Sequence, residues 1–554
     1  MVKRVFSFVY REVRGLHQAA YIIALFSVGS QLLAIIRDRL LAHTFGAGIE
    51  LDLYYAAFRI PDLLYVLFAS VLSVYVLLPF VNRATEENSA ASGKYFLSQI
   101  FTVFLLVYVV FASILAILAP WYVPLVFPGF TEQADTLVLL LRVLLLQPFL
   151  LGLSSLCGVV TQMNHRFILY ALSPLLYNIG IIIGIAFLYP TFGLVGLVSG
   201  VVIGAIGHLL IQVPFVLASR YSFSLVRRWD FALIKKVLLV SIPRALTLSV
   251  NQIVLLILMG MASVMAAGSV SVFQFAFNLH SVPIAIIGMS YSVAAFPTLS
   301  YLYATKNQAA FNRQLLTALR HIIFWSIPIV GLVIVLRAQI VRVLLGTGQF
   351  DWSDTRLTAA MLAIFVLSLL AQAILLLLVR AFYAGGRTAA PLIVAVSSAV
   401  ISIGAAIWLR AQYTASPTLQ TTFGEIFRLE NVAGAEVLVL ALAFVIGQYI
   451  QLIILFIISS RAFKIRYTSL SRLFFQAALA SIGGATTAYA TLAFVVDGIN
   501  QETFIGIALQ GLSAGIIGLV TIVLIYVGLG SNEIREIYRS FRAKIFKTDV
   551  IAPH

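Results

Sequence analysis

Residues 52–65 read Asp52-Leu53-Tyr54-Tyr55-Ala56-Ala57-Phe58-Arg59-Ile60-Pro61-Asp62-Leu63-Leu64-Tyr65 and put charges at the start and inside an apolar run that extends to residue 82. A helix crosses the hydrocarbon core with about 20 apolar residues, so this run is long enough to span a bilayer. A charge near the middle of such a helix costs roughly 2.5–3.5 kcal/mol on insertion scales, and it is tolerated where the side chain faces a partner or a wet cavity. Asp52, Tyr55, Arg59 and Asp62 are spaced 3, 4 and 3 apart, which places all four on one helical face. Pro61 removes a backbone donor inside the same run and predicts a bend. One polar face on a bent apolar helix is the pattern of a helix lining an internal cavity of a membrane bundle.

The rest of the chain supports that reading. Hydrophobic residues make up 62% of 554 positions and charged residues 10%, with a mean hydropathy of +1.05. A soluble domain carries about 25% charged residues, so a soluble fold is excluded. Apolar runs at 18–43, 53–82, 94–119, 135–162, 166–189, 193–218, 232–263, 270–303, 314–336, 355–382, 388–410, 434–460, 470–496 and 503–528 predict an all-α integral membrane protein of about 14 spans. The first run is too long for a cleavable signal peptide and reads as a span. The net charge of +16 lies in short loops, which argues for a membrane face rather than a nucleic-acid partner. Lys3, Arg4, Arg11 and Arg14 precede the first span, Arg220, Arg227, Arg228, Lys235 and Lys236 follow the sixth, and Arg535, Arg539, Arg542, Lys544 and Lys547 follow the last. The alternate loops around 121–135, 190–193 and 497–502 have no lysine or arginine. Both termini are therefore expected in the cytoplasm.

An internal repeat is visible. Ala57-Phe58-Arg59 leads to Leu78-Pro79-Phe80, as Ala276-Phe277-Asn278 leads to Phe296-Pro297-Thr298. The turn Phe45-Gly46-Ala47-Gly48 matches Ala266-Ala267-Gly268, and Asn164-His165-Arg166 before Pro174 matches Gly386-Arg387 before Pro391. The offset equals six spans, an even number, so the copies are parallel repeats about an axis along the membrane normal. The expected division is a cytoplasmic segment 1–17, an N-lobe 18–218, a C-lobe 219–460, two added helices 461–528 and a basic tail 529–554. Two such lobes around a midline cavity form an alternating-access architecture.

Further polar residues within the spans extend the candidate site. Ser30, Gln31, Arg37 and Asp38 give the first span a polar stripe, and Arg142 and Arg244 stand in the fourth and seventh. Two readings of the charges are open: Asp38, Asp52 and Asp62 neutralise Arg37, Arg39 and Arg59 structurally, or the arginines form a cationic wall whose planar forks grip phosphate oxygens. The seven histidines lack metal-ligand spacing, the single Cys157 excludes a disulfide framework, and no P-loop occurs, so ATP is not the direct drive and no enzymatic constellation is expected. Gly193, Gly196, Gly200, Gly204 and Gly207 recur at helical spacing and predict close helix packing.

These segments resemble the MurJ (MviN) lipid II flippases of the multidrug/oligosaccharidyl-lipid/polysaccharide exporter superfamily. The resemblance rests on Arg37-Asp38, Asp52 with Ala57-Phe58-Arg59-Ile60-Pro61, Pro128-Gly129-Phe130, Asn164-His165-Arg166-Phe167 with Pro174 and Tyr177-Asn178, Gly348-Gln349-Phe350 with Asp354-Thr355, and Arg380-Ala381-Phe382-Tyr383-Ala384 with Pro391. It implies a carrier that moves an undecaprenyl-pyrophosphate-linked peptidoglycan precursor from the inner to the outer leaflet of the bacterial cytoplasmic membrane. It further implies a groove along the last two spans for the polyprenyl tail, no cofactor, drive from a coupling ion or the membrane potential, and cell-wall assembly proteins as neighbours. Arg37 and Arg59 would meet the pyrophosphate, with Asp38 and Asp52 orienting them, and Asp62, Ser30 and Arg244 would line the cavity. Against the family pattern, Gln31, Tyr65 and Asn278 stand where arginines are usual, and Ser70-Val71 replaces an acidic-glycine pair. A carrier of another polyprenyl-linked glycan and a non-transporting scaffold for wall assembly are the alternatives these changes raise.

Overall fold

A computed structural model describes residues 16–88, 90–430, 432–495 and 503–536, together with 12 and 539. The basic segment with Lys3, Arg4, Arg11 and Arg14, the loop 497–502 and the tail cations Arg542, Lys544 and Lys547 lie outside the described residues. Among those described, every regular element is a helix. Twelve helices are long and apolar enough to cross a membrane, or thirteen when Trp352–Leu367 and Leu369–Ala384, bent by 42°, count as one span. Ser368 sits at that bend, its hydroxyl bonded to the Phe365 carbonyl at 2.6 Å.

The packing separates two units. The first comprises residues up to Ser271 and the segment Thr347–Asp351. Its helices are α1 (Leu16–Phe45), α2 (Ile49–Val71), α3 (Val74–Asn88), α4 (Ala90–Val126), α5 (Ala134–Leu144), α6 (Leu146–Met163), α7 (Phe167–Ile183), α8 (Tyr189–Leu210) and α9 (Phe231–Ser263). The sequence division falls at 218/219, whereas the packing divides after Ser271, because α9 lies along α2. The helix α2 runs through Pro61, and the chain breaks at Leu72 and Ser73, before α3.

The stretch 167–218 is 52 residues long, which at about 1.5 Å per residue would overshoot a bilayer more than twofold. It turns back instead. Gly193 takes φ +59° and ψ −146°, a conformation open to glycine and closed to residues with a Cβ. The two arms then pack antiparallel on small residues: Gly204 abuts the Tyr177 carbonyl and Gly180, and Gly200 abuts Gly184. The glycine periodicity read from the sequence serves this contact at 200 and 204, while Gly193 makes the turn.

The motif Pro128-Gly129-Phe130 forms a short 3-10 turn whose Gly129 N–H donates to Ser263 Oγ at 3.2 Å, and an added Cβ would overlap the Ser263 carbonyl. Gly348-Gln349-Phe350 has an equally local cause. Gln349 N–H donates to the His43 carbonyl at 3.0 Å, Thr347 Oγ1 lies 3.0 Å from His43 Nδ1, and Gly348 (φ +59°) leaves room for the His43 ring.

The second unit comprises Val272–Gly346 and residues from Trp352 onward. After α10 (Ser269–Pro283), whose first turn belongs to the first unit, it contains α11 (Ser290–Ala304), α12 (Gln308–Leu344), α13 (Trp352–Leu367), α14 (Leu369–Ala384), α15 (Ala389–Ala415), α16 (Pro417–Phe427), α17 (Leu438–Phe463), α18 (Ser471–Ala490) and α19 (Phe504–Gly528). Its core gathers Phe311, Phe324, Phe382, Phe463 and Tyr526. The helices α18 and α19 pack on each other through Gly484 and Gly518 and on α12, where Tyr526 stacks on Phe324 at 4.2 Å and donates to its carbonyl at 2.8 Å.

Corners matched in the sequence also match in geometry. At the end of α6, His165 is left-handed (φ 56°) and Arg166 N–H returns to the Thr161 carbonyl at 2.8 Å. At the end of α14, Gly386 is left-handed (φ 66°) and Arg387 N–H returns to the Phe382 carbonyl at 2.9 Å. Both are closing turns of the Schellman type. The guanidinium then lies over an aromatic ring in each case, Arg166 on Phe215 at 5.3 Å and Arg387 on Phe463 at 6.0 Å.

Candidate functional site

The polar cluster of the first unit is assembled from α1, α2, α6 and α7. Arg37 folds back on its neighbour, donating from Nε (2.9 Å) and Nη2 (2.7 Å) to the same Asp38 oxygen. Its Nη1 donates to Asn178 Oδ1 at 3.2 Å, and Asn178 Nδ2 reaches Ser30 Oγ at 3.2 Å and the Pro174 carbonyl at 3.2 Å. A chain of polar contacts thus ties the stripe on α1 to α7. On α2, Arg59 is buried (6% exposed) with Asp62 as its charge partner, and Asp62 takes a hydrogen bond from Gln147 of α6. Tyr65 is half-buried and hydrogen-bonds Ser155 of α6. Tyr54, Tyr55 and Tyr177 fill the space around these charges. Two arginines face two aspartates, so the site is charge-balanced rather than a bare cationic wall.

Asp52 is placed differently from its neighbours on that face. It is 2% exposed and accepts from Gly268 N–H (2.7 Å), Ser271 N–H (2.7 Å) and Ser271 Oγ (2.6 Å). These donors form the first turn of α10, whose amino-terminal N–H groups lack partners within the helix. Asp52 therefore caps α10 from 216 residues away in sequence, and its oxygens point to that helix end rather than to the arginines. The two matched glycine turns meet here, since a Cβ on Gly268 would overlap the Ala47 carbonyl.

The remaining expected residues are dispersed. Gln31 is exposed on α1, and Arg244 is half-buried on α9 directly after Pro243. Asn278 belongs to the second unit, where its Oδ1 accepts from Gln274 Nε2 at 2.5 Å. Ser70 is buried and closes on its own helix by donating to the Val66 carbonyl. Tyr54, Gln147, Ser155, Tyr177 and Asn178 were not among the expected site residues. Tyr177 and Asn178 carried a signal, for they follow Pro174 in one of the recurring motifs, whereas nothing local marks Gln147. Among the described residues no group of three or more metal-ligating side chains gathers.

Paired charges set partly or fully inside a bundle of long apolar helices suit a polytopic membrane transporter, and the fold agrees. A multidrug resistance MATE family transporter of the MOP superfamily in an inward-facing conformation superposes with a TM-score of 0.62 at 15% identity, over 78% of this chain and 94% of that one. A lipid II flippase MurJ in its inward closed conformation superposes with a TM-score of 0.72 at 23% identity, over 92% of this chain and 99% of that one. The family described as lipid II flippase MurJ matches residues 41–511, and the chain belongs to that family. Probable lipid II flippases MurJ from Buchnera aphidicola (subsp. Acyrthosiphon pisum) and Rhizobium tropici are 27% and 28% identical, over 65% and 66% of this chain and 72% and 70% of their own lengths. The relative from Thermotoga maritima is 26% identical over 66% of this chain and 74% of its own. The chain is thus a multi-pass transporter of a flippase family, not an enzyme.

Proposed function

We propose that this protein flips lipid II across the bacterial cytoplasmic membrane by alternating access, with both termini in the cytoplasm and the headgroup meeting the Arg37–Arg59 cluster. The observation that carries this is the pairing of two arginines with two aspartates inside the apolar helices of one unit. A pyrophosphate competes with Asp38 and Asp62 for the same guanidinium N–H groups. Exchange between carboxylate and phosphate lets the site bind an anion and release it again, which a permanently bare cationic wall would resist. Tyr54, Tyr55, Tyr65 and Tyr177 bring hydroxyl groups to the same region and supply neutral donors where the family usually has arginine.

The Asp52 cap on α10 acts as a latch at the end of α2 opposite the basic loops, and releasing it frees the start of α10. Counting both arms of the Gly193 hairpin as spans gives a fourteen-span topology, which agrees with the basic loops lying on one side. The exposed apolar faces of α18 and α19, with Phe475, Ile482, Ile505 and Leu512, suit the polyprenyl tail, which needs no polar cavity. No cofactor enters the cycle, and a coupling ion or the membrane potential supplies the drive. Cell-wall assembly proteins are expected neighbours.

Complementation of a strain depleted of its own lipid II flippase tests the proposal. Rescue by the wild type and failure of Arg59→Ala, with both proteins inserted at equal levels, is the expected outcome. Rescue by Arg59→Ala would remove the role given to that residue. Failure of the wild type would favour another polyprenyl-linked glycan, a reading that Tyr65 on Ser155 in place of an arginine specifically supports.

A further inference from the structure

We propose that α16 is an interfacial helix whose apolar side rests on the phospholipid around the end of α15. Its sequence places Leu419, Phe423, Ile426 and Phe427 at successive spacings of 4, 3 and 1, which is one stripe along a helix. Thr418, Thr421, Thr422 and Glu425 take the other side. None of its 11 residues is buried among the described residues, and Leu419 (38%) and Ile426 (64%) are exposed.

The neighbours of α16 fix where that stripe lies. The helix α15 is long and apolar enough to cross a membrane. Its 27 residues extend about 40 Å at about 1.5 Å per residue, roughly 10 Å more than the hydrocarbon core. Its last turns therefore stand among headgroups, and Trp408, 61% exposed, has the place of an interfacial aromatic. Ser416 is extended, and α16 folds back instead of running out into water. Gln420 Nε2 donates to the Tyr413 carbonyl at 3.0 Å, and Phe423 meets the Tyr413 ring edge-on at 5.6 Å. At the far end Arg356, near the start of α13, donates to the Arg428 carbonyl, and Leu429 is buried. Beyond it Glu436 pairs with Arg410 of α15 at 2.7 Å. The helix is thus pinned at both ends, close to the level where α15 leaves the hydrocarbon.

The stripe lies at the end of a surface already given to lipid. Ile393, Val396, Val400 and Ile407 are exposed along one face of α15, at the spacing of a helix that shows one side to the bilayer. Interfacial helices bind through buried apolar area and through attraction of basic residues to anionic lipid. Glu425 is the one charged residue of α16, so the apolar stripe alone carries the contact, and bulk phospholipid of either charge type suits it. The inference rests on α15 being a membrane span, not on what the protein transports.

A bimane label on single cysteines reads the contact in the full chain reconstituted into phosphatidylcholine nanodiscs. The cysteines are introduced as Leu419→Cys, Ile426→Cys and Thr421→Cys in a Cys157→Ala background. All three positions are exposed, so the variants should insert like their parent. At positions 419 and 426 the emission should shift to the blue and be lost when the lipid carries a nitroxide below its headgroup, while aqueous iodide should have little effect. At position 421 that order should reverse, and adding phosphatidylglycerol should change neither result. Iodide quenching at 419 and 426 equal to that at 421 would leave the helix in water. Protection of 419 and 426 from both quenchers would give the stripe to a second copy of the chain. Lipid contact seen only with phosphatidylglycerol would make the recognition electrostatic. Each of these three results would overturn the proposal.

Discussion

Replacing Asp52 offers the sharpest test of how α10 is held. Three donors converge on the carboxylate, at 2.7, 2.7 and 2.6 Å, in a site closed to solvent. Losing a helix cap costs about 1 kcal/mol, and a buried backbone donor left without a partner adds roughly 1–3 kcal/mol. Asp52→Ala removes every acceptor and orphans two backbone N–H groups, so local opening should become easier by about 3–4 kcal/mol. Asp52→Asn keeps one carbonyl oxygen and loses the favourable charge at a helix amino terminus, a cost of about 1–2 kcal/mol. At about 1.4 kcal/mol per factor of ten, deuterium uptake in a peptide covering residues 265–273 should accelerate about tenfold for the asparagine variant and two to three decades for alanine. Ser271→Ala removes only the hydroxyl donor and should change uptake least. Unchanged protection in Asp52→Ala, or a larger effect from asparagine than from alanine, would refute the capping role.

Other outcomes follow from the same geometry. Combining Arg59→Ala with Asp62→Ala should recover thermal stability lost in the single arginine variant while complementation still fails; recovered growth would mean the pair is structural only. Gly204→Ala drives a methyl group into the Tyr177 carbonyl, so a detergent melt should show a loss of about 1–3 kcal/mol, and an unchanged midpoint would contradict the close packing of the hairpin. Burial opposes ionisation of Glu533, but Ser531 and the Arg320 guanidinium at 2.6 Å outweigh it and hold the carboxyl below its ordinary range. A lowered folded value contributes stability above the unfolded pKa, and that contribution disappears as pH falls through the folded one. Acid melts should therefore show a smaller loss for Glu533→Gln than for wild type, and identical acid profiles would sink the assignment.

Periodicity exposed much of this molecule because a membrane leaves helices few alternatives. The apolar runs and glycine spacing predicted the long helices and the tight contact at Gly200 and Gly204. The adjacency of Arg37 and Asp38 was enough to raise the ion pair that the structure contains. Asp52 shows where such reasoning stops: a 3, 4, 3 spacing assigns a face but cannot reveal that a helix start 216 residues away lands on its first member. Gln147 carries no local signal for the same reason, since its partner Asp62 is on another helix. One local signal stands between α15 and α17: the Ser416 hydroxyl accepts from Leu419 N–H at 3.4 Å at the start of α16, with Pro417 at the first helical position, the combination that starts helices elsewhere.

The Gly193 hairpin also bears on how the chain is made. Its two arms are contiguous in sequence and carry their mating glycines at 180, 184, 200 and 204. Both arms therefore emerge from the ribosome one after the other and can zip together while more than half of the polypeptide is still to be made. A pair of helices that leaves the translocon already sealed gives later segments a fixed wall to assemble against, so damage to this contact should appear first as a defect of biogenesis rather than of transport.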